Sequence, residues 1–237
     1  MDTPRREFFH QMLAAGALTT GAGLLSACAT ASSTASTVPA AAGAPAGSTS
    51  APAWDMSWTK RLGKYRTAYD SPEIMGGAAL AYASAAAAGY KAALGTADRE
   101  FTPVLILRHA ASVMVLDDEM WETIGIGQSR SLKDPTTGEP AKRNPFINFR
   151  QGDKFSMISA DTGVDSLMQR GAIVLACNNA LRGSAYQLRQ KQPSLTAEAA
   201  LAEIRRHVIP GAIVMPNGIF AVSAAQDAGC HYMRVLV

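Results

Sequence analysis

Three short apolar runs stand out along the chain: Pro103 to Leu107 (PVLIL), Ala172 to Cys177 (AIVLAC) and Gly211 to Met215 (GAIVM). Each is continuous rather than alternating, and continuous apolar runs of about four to eight residues suit strands buried on both faces, the habit of parallel sheets. Leu62 to Tyr69 (LGKYRTAY) reads as an earlier strand and His231 to Val237 (HYMRVLV) as the last one. Between these runs the pattern turns helical. Gly76 to Leu94 is alanine-rich and helical by propensity. Ala180 to Gln190, Ser194 to Val208 and Ile219 to Gly229 follow, with Thr196 a candidate N-cap and Gly229 a helix stop. Strands alternating with helices predict an α/β domain with a mostly parallel sheet and helices on both faces. In such sheets ligands bind beyond the carboxyl ends of the strands.

Two stretches break this rhythm. From Asp117 to Gly163 the chain carries Asp117-Asp118-Glu119, then Trp121, then a turn-rich run from Lys133 to Pro145. Loops this long in a compact domain usually serve a function, so residues 117–163 read as an elaboration, either a lid or an oligomer contact. Trp121 beside its acidic neighbours is a candidate pocket wall or oligomer contact. The three consecutive carboxylates read as a solvated turn, with cation binding as the alternative.

The other break is at the N-terminus. Arg5-Arg6-Glu7-Phe8-Phe9 precedes an uncharged, weakly apolar stretch from Met12 to Ala27, the pattern of an export signal. The paired arginines resemble the twin-arginine type, and Leu25-Ser26-Ala27-Cys28 resembles a bacterial lipobox, in which the cysteine is acylated. Residues 1–28 are thus read as the signal and Cys28 as a lipidation site, giving an exported protein anchored to a membrane in the periplasm or at the cell surface. Cleavage at a small-residue site, leaving a soluble exported protein, is the alternative. Residues 29–53 hold only Ala, Ser, Thr, Pro, Gly and Val, too little apolar surface to offset the entropy of ordering, and read as a disordered linker. Residues 54–237 make the folded domain.

Composition narrows the function classes. The net charge of +3 comes from 22 basic and 19 acidic residues that are well mixed, so no electrostatic footprint for nucleic acid exists. The three cysteines, Cys28, Cys177 and Cys230, are too scattered for a disulfide framework or a zinc site. Gly76-Gly77 lacks the spacing of a dinucleotide fingerprint or a phosphate loop, so no cofactor is expected. His231 and Met233 share one strand face and offer two soft ligands for copper, too few to prefer a metal site.

The run Gly171-Ala172-Ile173-Val174-Leu175-Ala176-Cys177-Asn178-Asn179-Ala180-Leu181 resembles the second half of the DsrE/DsrF-like family, with its YchN-type members, where a glycine-led strand ends in a cysteine followed by asparagine. Ile209-Pro210-Gly211-Ala212-Ile213-Val214-Met215-Pro216-Asn217, then Gln226-Asp227-Ala228-Gly229 and Tyr232, is similar to the family's closing pattern, and Val104 to His109 resembles its second strand. Two departures are Ala110, where the family usually has glycine, and the length of residues 117–163. The likeness implies a single three-layer Rossmann-like domain that assembles as a homo-oligomer, often built on trimers. It also implies a role, in some members, in relaying sulfane sulfur on a cysteine.

Cys177 is therefore the leading candidate. It stands where a strand ends and a helix begins, and a thiol there feels the positive end of the helix dipole, which favours thiolate. The alternative is a buried cysteine acting as a small hydrophobe. His109 ends the preceding strand on the same sheet edge and can hold a proton for a thiol or bind an anion, or else simply fix the turn. Asn178 and Asn179 are candidate ligand-binding residues or turn and cap residues. Cys230 precedes the last strand, at the opposite sheet edge, and reads as packing. The function expected is binding or relay of a small sulfur species from a sulfur donor; the alternative is a non-catalytic binding or scaffolding lipoprotein.

Overall fold

The structure is a computed structural model and describes residues 54–154 and 157–236. The export signal, Cys28 and the linker lie outside the described residues. Strands β1 (Tyr65–Ser71), β2 (Phe101–Leu107), β3 (Ile173–Cys177), β4 (Ile213–Met215) and β5 (His231–Arg234) form one sheet in the order β4-β3-β2-β1-β5. Every neighbouring pair is parallel. The long helices are α1 (Ala78–Leu94), α5 (Asn178–Lys191), α6 (Ala197–Arg206) and α7 (Gly218–Asp227). Short helices α2 (Asp118–Ile124), α3 (Ile126–Ser129) and α4 (Val164–Gln169) sit in and after the elaborated segment.

The three-layer, Rossmann-like α/β architecture follows from how the crossovers run. β1 to β4 succeed one another across the sheet in one direction, and parallel crossovers are right-handed almost without exception, so their helices fall on a single face. On that face Tyr69, Leu105, Leu107, Val174 and Ala176 meet the apolar sides of α1, α2, α5 and α6. The last connection runs back over the sheet to β5, which puts α7 on the opposite face. There Ala68, Val104, Ile106, Ile173, Leu175 and Met215 pack against Ala221, Ala224 and Ala225. Trp58, from a 3-10 turn at Ser57–Arg61, is fully buried in the same layer and shares its closure with α7.

Elements begin and end where local chemistry dictates. Thr196 Oγ1 accepts the Ala199 N–H at 3.1 Å and starts α6, as the sequence predicts. Helix α1 starts two residues later than predicted, because Gly76 and Gly77 both take left-handed backbone angles and form a 3-10 turn instead. The first strand is displaced toward Ser71, since Asp70 and Ser71 continue the ladder opposite Ile106 and Leu107. The final strand is shorter than expected and all four of its residues are exposed, because it pairs only with β1 and lies at the sheet's edge.

Part of residues 117–163 packs into the core. Asp117 caps α2, its Oδ1 accepting the Met120 N–H at 2.9 Å, and Asp118 and Glu119 occupy the first turn, where acidic side chains favour the helix dipole. The expected acidic turn is thus a helix start. Trp121 is fully buried and donates Nε1–H to the Val113 carbonyl at 2.9 Å, so it is a core residue and not an oligomer contact. Phe146, Ile147 and Ile158 join it in the larger core. Burial of each such side chain is worth roughly 1.5–3 kcal/mol, which fixes the segment to the helical layer.

Candidate functional site

Helices α5 and α7 leave adjacent strands, β3 and β4, toward opposite faces of the sheet. Their N-termini therefore meet the carboxyl edge from opposite faces, a topological switch point, where open α/β sheets take ligands. Cys177 stands at this point. It is the last residue of β3, opposite Met215, and it is also the N-cap of α5, its Sγ facing the Ala180 N–H at 3.4 Å. At the end of β4, Asn217 caps α7, with Oδ1 accepting the Phe220 N–H at 2.8 Å.

Side-chain alternation decides which neighbours Cys177 meets. Counting back from Cys177 through Leu175 and Ile173 places its thiol on the α7 face, and Val104 and Ile106 place Arg108 on that face too. The β2–β3 register carries Arg108 level with Cys177. Arg108 is held rigidly. Its Nε and Nη2 donate to Asp70 Oδ1 and Oδ2 at 2.6 and 2.9 Å, and the Tyr232 hydroxyl donates to Asp70 Oδ2 at 3.0 Å. The carboxylate of Asp70 holds the guanidinium's pKa above its ordinary value, burial opposes this, and the Cys177 thiol lies near enough to add to the rise. The stem of Arg108 lies against Gly218, where any Cβ would fall 2.5 Å from the Arg108 Cβ. Glycine at this position therefore lets the first turn of α7 close onto the arginine.

The sequence placed His109 beside Cys177. Both stand at the carboxyl edge, but His109 begins a 3-10 turn with φ of +47° and its side chain is exposed, without a hydrogen bond among the described residues. Arg108, one position earlier, is the charged residue that the strand register sets level with Cys177. Asn178 is buried, and its Oδ1 accepts from Arg205 Nε at 3.0 Å and Nη2 at 2.6 Å, which ties α5 to the end of α6. Asn179 is exposed in the first turn of α5. Arg108, Asp70 and Tyr232 are what sequence reasoning missed. The signal was present in the alternation of Val104, Ile106 and Arg108, which ends an apolar strand face on a cation that must find a partner.

Cys177 and Cys230 are both free and buried. Cys230 lies next to the start of β5, at the amino edge, and burial pushes its thiol pKa up while Arg66 opposes the shift. Among the described residues no group of three or more His, Cys, Asp or Glu side chains is placed to hold a metal ion. A separate cleft of about 630 Å³ lies in the elaborated segment, lined by Asp118, Glu119, Glu122, Asp134, Arg143 and Arg150 among others. Neither Cys177 nor Arg108 lines it.

No protein-family model matches the chain, and no curated protein matches it. Among solved structures, that of a protein of unknown function, MTH1491 from Methanobacterium thermoautotrophicum, aligns with a TM-score of 0.37 and 16% identity, covering 72% of this chain and 98% of that one.

Proposed function

We propose that the chain binds and relays a small sulfur species on Cys177, in the manner of DsrE-like carriers. The observation that carries this reading is the placement of a single thiol at the switch point of the sheet, at the head of one helix and level with a guanidinium fixed by Asp70. In the transfer step the Cys177 thiolate attacks the terminal sulfur of a donor persulfide. The donor's S–S bond breaks, the donor keeps the persulfide's proton and leaves as a thiol, and Cys177 carries the persulfide anion. Arg108 offsets that negative charge, and Asp70 with Tyr232 keeps Arg108 in place. The chain is further proposed to be exported, anchored through Cys28, and homo-oligomeric; the exposed edge of β5, with Tyr232 and Met233, leaves a strand free for assembly.

Intact-mass analysis after incubation with a sulfane-sulfur donor tests the relay. A gain of one sulfur atom that persists in Cys230→Ala and vanishes in Cys177→Ala supports it; no gain in the native protein sinks it. The second reading, a binding or scaffolding protein with a structural cysteine, is favoured by the 7% exposure of Cys177. In that case native protein resists thiol alkylation and labels only on unfolding.

A further inference from the structure

The two edges of the sheet differ. Along β4, Ile213 and Val214 are half-buried and Met215 is buried, whereas all four residues of β5 are exposed, Tyr232 at 45% and Met233 at 42%. Among the described residues no strand lies beyond β5. Its outer row of backbone N–H and C=O groups is open, and an open row is a template for another strand.

The ladder decides which residues face outward. The Val235 N–H donates to the Asp70 carbonyl at 2.9 Å, so Val235 turns its backbone groups toward β1, and Met233, two residues back, does the same. Tyr232 and Arg234 therefore turn theirs away from the sheet. Their side chains lie beside Ala68 and Asp70 on the α7 face, while Met233 lies beside Tyr69 on the opposite face. Asp70 is taken by Arg108 and by the Tyr232 hydroxyl, and Arg234 makes no hydrogen bond or ion pair among the described residues.

We infer that two copies of the chain join through β5, antiparallel, about a two-fold axis at Met233. Tyr232 of each copy then faces Arg234 of the other, and each such pair exchanges both of its backbone hydrogen bonds. The free guanidinium meets an exposed aromatic ring, a cation–aromatic contact. On the opposite face the two Met233 side chains meet at the axis, in the type of pair that brings side chains closest. Neighbouring registers fit worse. An axis at Arg234 sets two like charges face to face. An axis at Tyr232 sets Arg234 against Cys230, whose N–H is already spent on the Ala225 carbonyl at 2.9 Å.

The second copy thereby reaches the candidate site. Tyr232 holds Asp70, Asp70 holds Arg108, and Arg234 of the second copy backs the tyrosine. This pairing rests on the homo-oligomer reading above and is independent of sulfur relay.

Sedimentation of the full chain tests it beside two variants at exposed positions. Arg234→Pro removes an outward N–H without touching the ladder to β1, and Met233→Lys sets two like charges at the axis. Each variant is expected to lower the mass of the assembly twofold while keeping a wild-type thermal melt. A monomeric wild type overturns this inference and the homo-oligomer reading together. An assembly whose mass either folded variant leaves unchanged overturns the β5 pairing alone. Should a variant fail to fold, Met233→Cys decides. The axial pair brings its Cβ atoms to roughly 4.5–5.5 Å, close enough for small shifts to close a disulfide between copies, whereas Arg234→Cys would face a tyrosine. After oxidation with diamide, a covalent dimer of Met233→Cys and none of Arg234→Cys supports the pairing; equal cross-linking, or none in either, overturns it.

Discussion

Arg108 closes a two-pronged hydrogen bond on Asp70, Nε to Oδ1 at 2.6 Å and Nη2 to Oδ2 at 2.9 Å, with the carboxylate side chain only 4% exposed. This pair links the end of β2 to β1 at the carboxyl edge, level with Cys177. Its burial sets the consequence of breaking it.

Removing one member leaves the other as an uncompensated buried charge. Arg108→Gln is expected to cost about 3 kcal/mol, and the addition of Asp70→Asn to recover part of that, because no lone charge remains. Urea unfolding of Arg108→Gln, Asp70→Asn and the double variant measures the coupling. Additive losses would mean that the pair is not energetically joined.

Cys177 plays two parts that substitution separates. Serine is the better helix cap, so Cys177→Ser is expected to keep the stability of the chain within about 1 kcal/mol while abolishing thiol chemistry. Cys177→Ala loses the cap as well and is expected to cost about 1 kcal/mol more. Thermal melts of both variants, beside their mass gain with a sulfur donor, provide the check.

Gly218 carries no side chain because the Arg108 stem fills the space. An alanine Cβ would fall 2.5 and 2.8 Å from the Arg108 Cβ and Cδ, so α7 or the arginine must move. Gly218→Ala is expected to destabilise by about 2 kcal/mol, the usual cost of overpacking, despite alanine's better helix propensity. A stabilised variant would show that the Arg108 stem yields.

Acid sensitivity is expected to arise in the elaborated segment. Burial works against ionisation of Asp153, yet the Arg143 guanidinium, the Arg150 N–H and the Thr136 hydroxyl outweigh it and hold its carboxyl pKa below the ordinary value. Asp134 is lowered likewise, with burial again outweighed, here by the Thr137 and Thr136 N–H groups and Arg143. A carboxyl lowered in the folded state stabilises it above the unfolded value of about 3.9 and loses that contribution as pH falls through the folded one. Asp153→Asn is expected to cost about 2 kcal/mol at neutral pH, and the gap to wild type to narrow between about pH 4 and 2. Denaturant unfolding across that range tests the trend.

Much of the architecture was legible along the chain. The runs at Pro103, Ala172 and Gly211 became β2, β3 and β4, and all are parallel, because continuous apolar strands need cover on both faces. Thr196 marked the start of α6 by its own local bond. How residues 117–163 are anchored in the core was not legible in the sequence. Their anchors, Trp121, Phe146, Ile147 and Ile158, are spaced by turns and polar residues, so neither helical nor strand periodicity reveals a shared burial.

The sequence by itself determined the periodic elements, the class of fold and the position of Cys177 between a strand and a helix, since these depend on residues close together in the chain. Only the tertiary structure decided what surrounds the thiol. Asp70 on β1, Arg108 just past the end of β2 and Tyr232 on β5 meet across 38 and 162 positions of sequence separation. Their pairing depends on strand order and on which face each side chain takes. Strand order arises when separate helices compete to cover a shared sheet, a global balance of burial that no local pattern encodes.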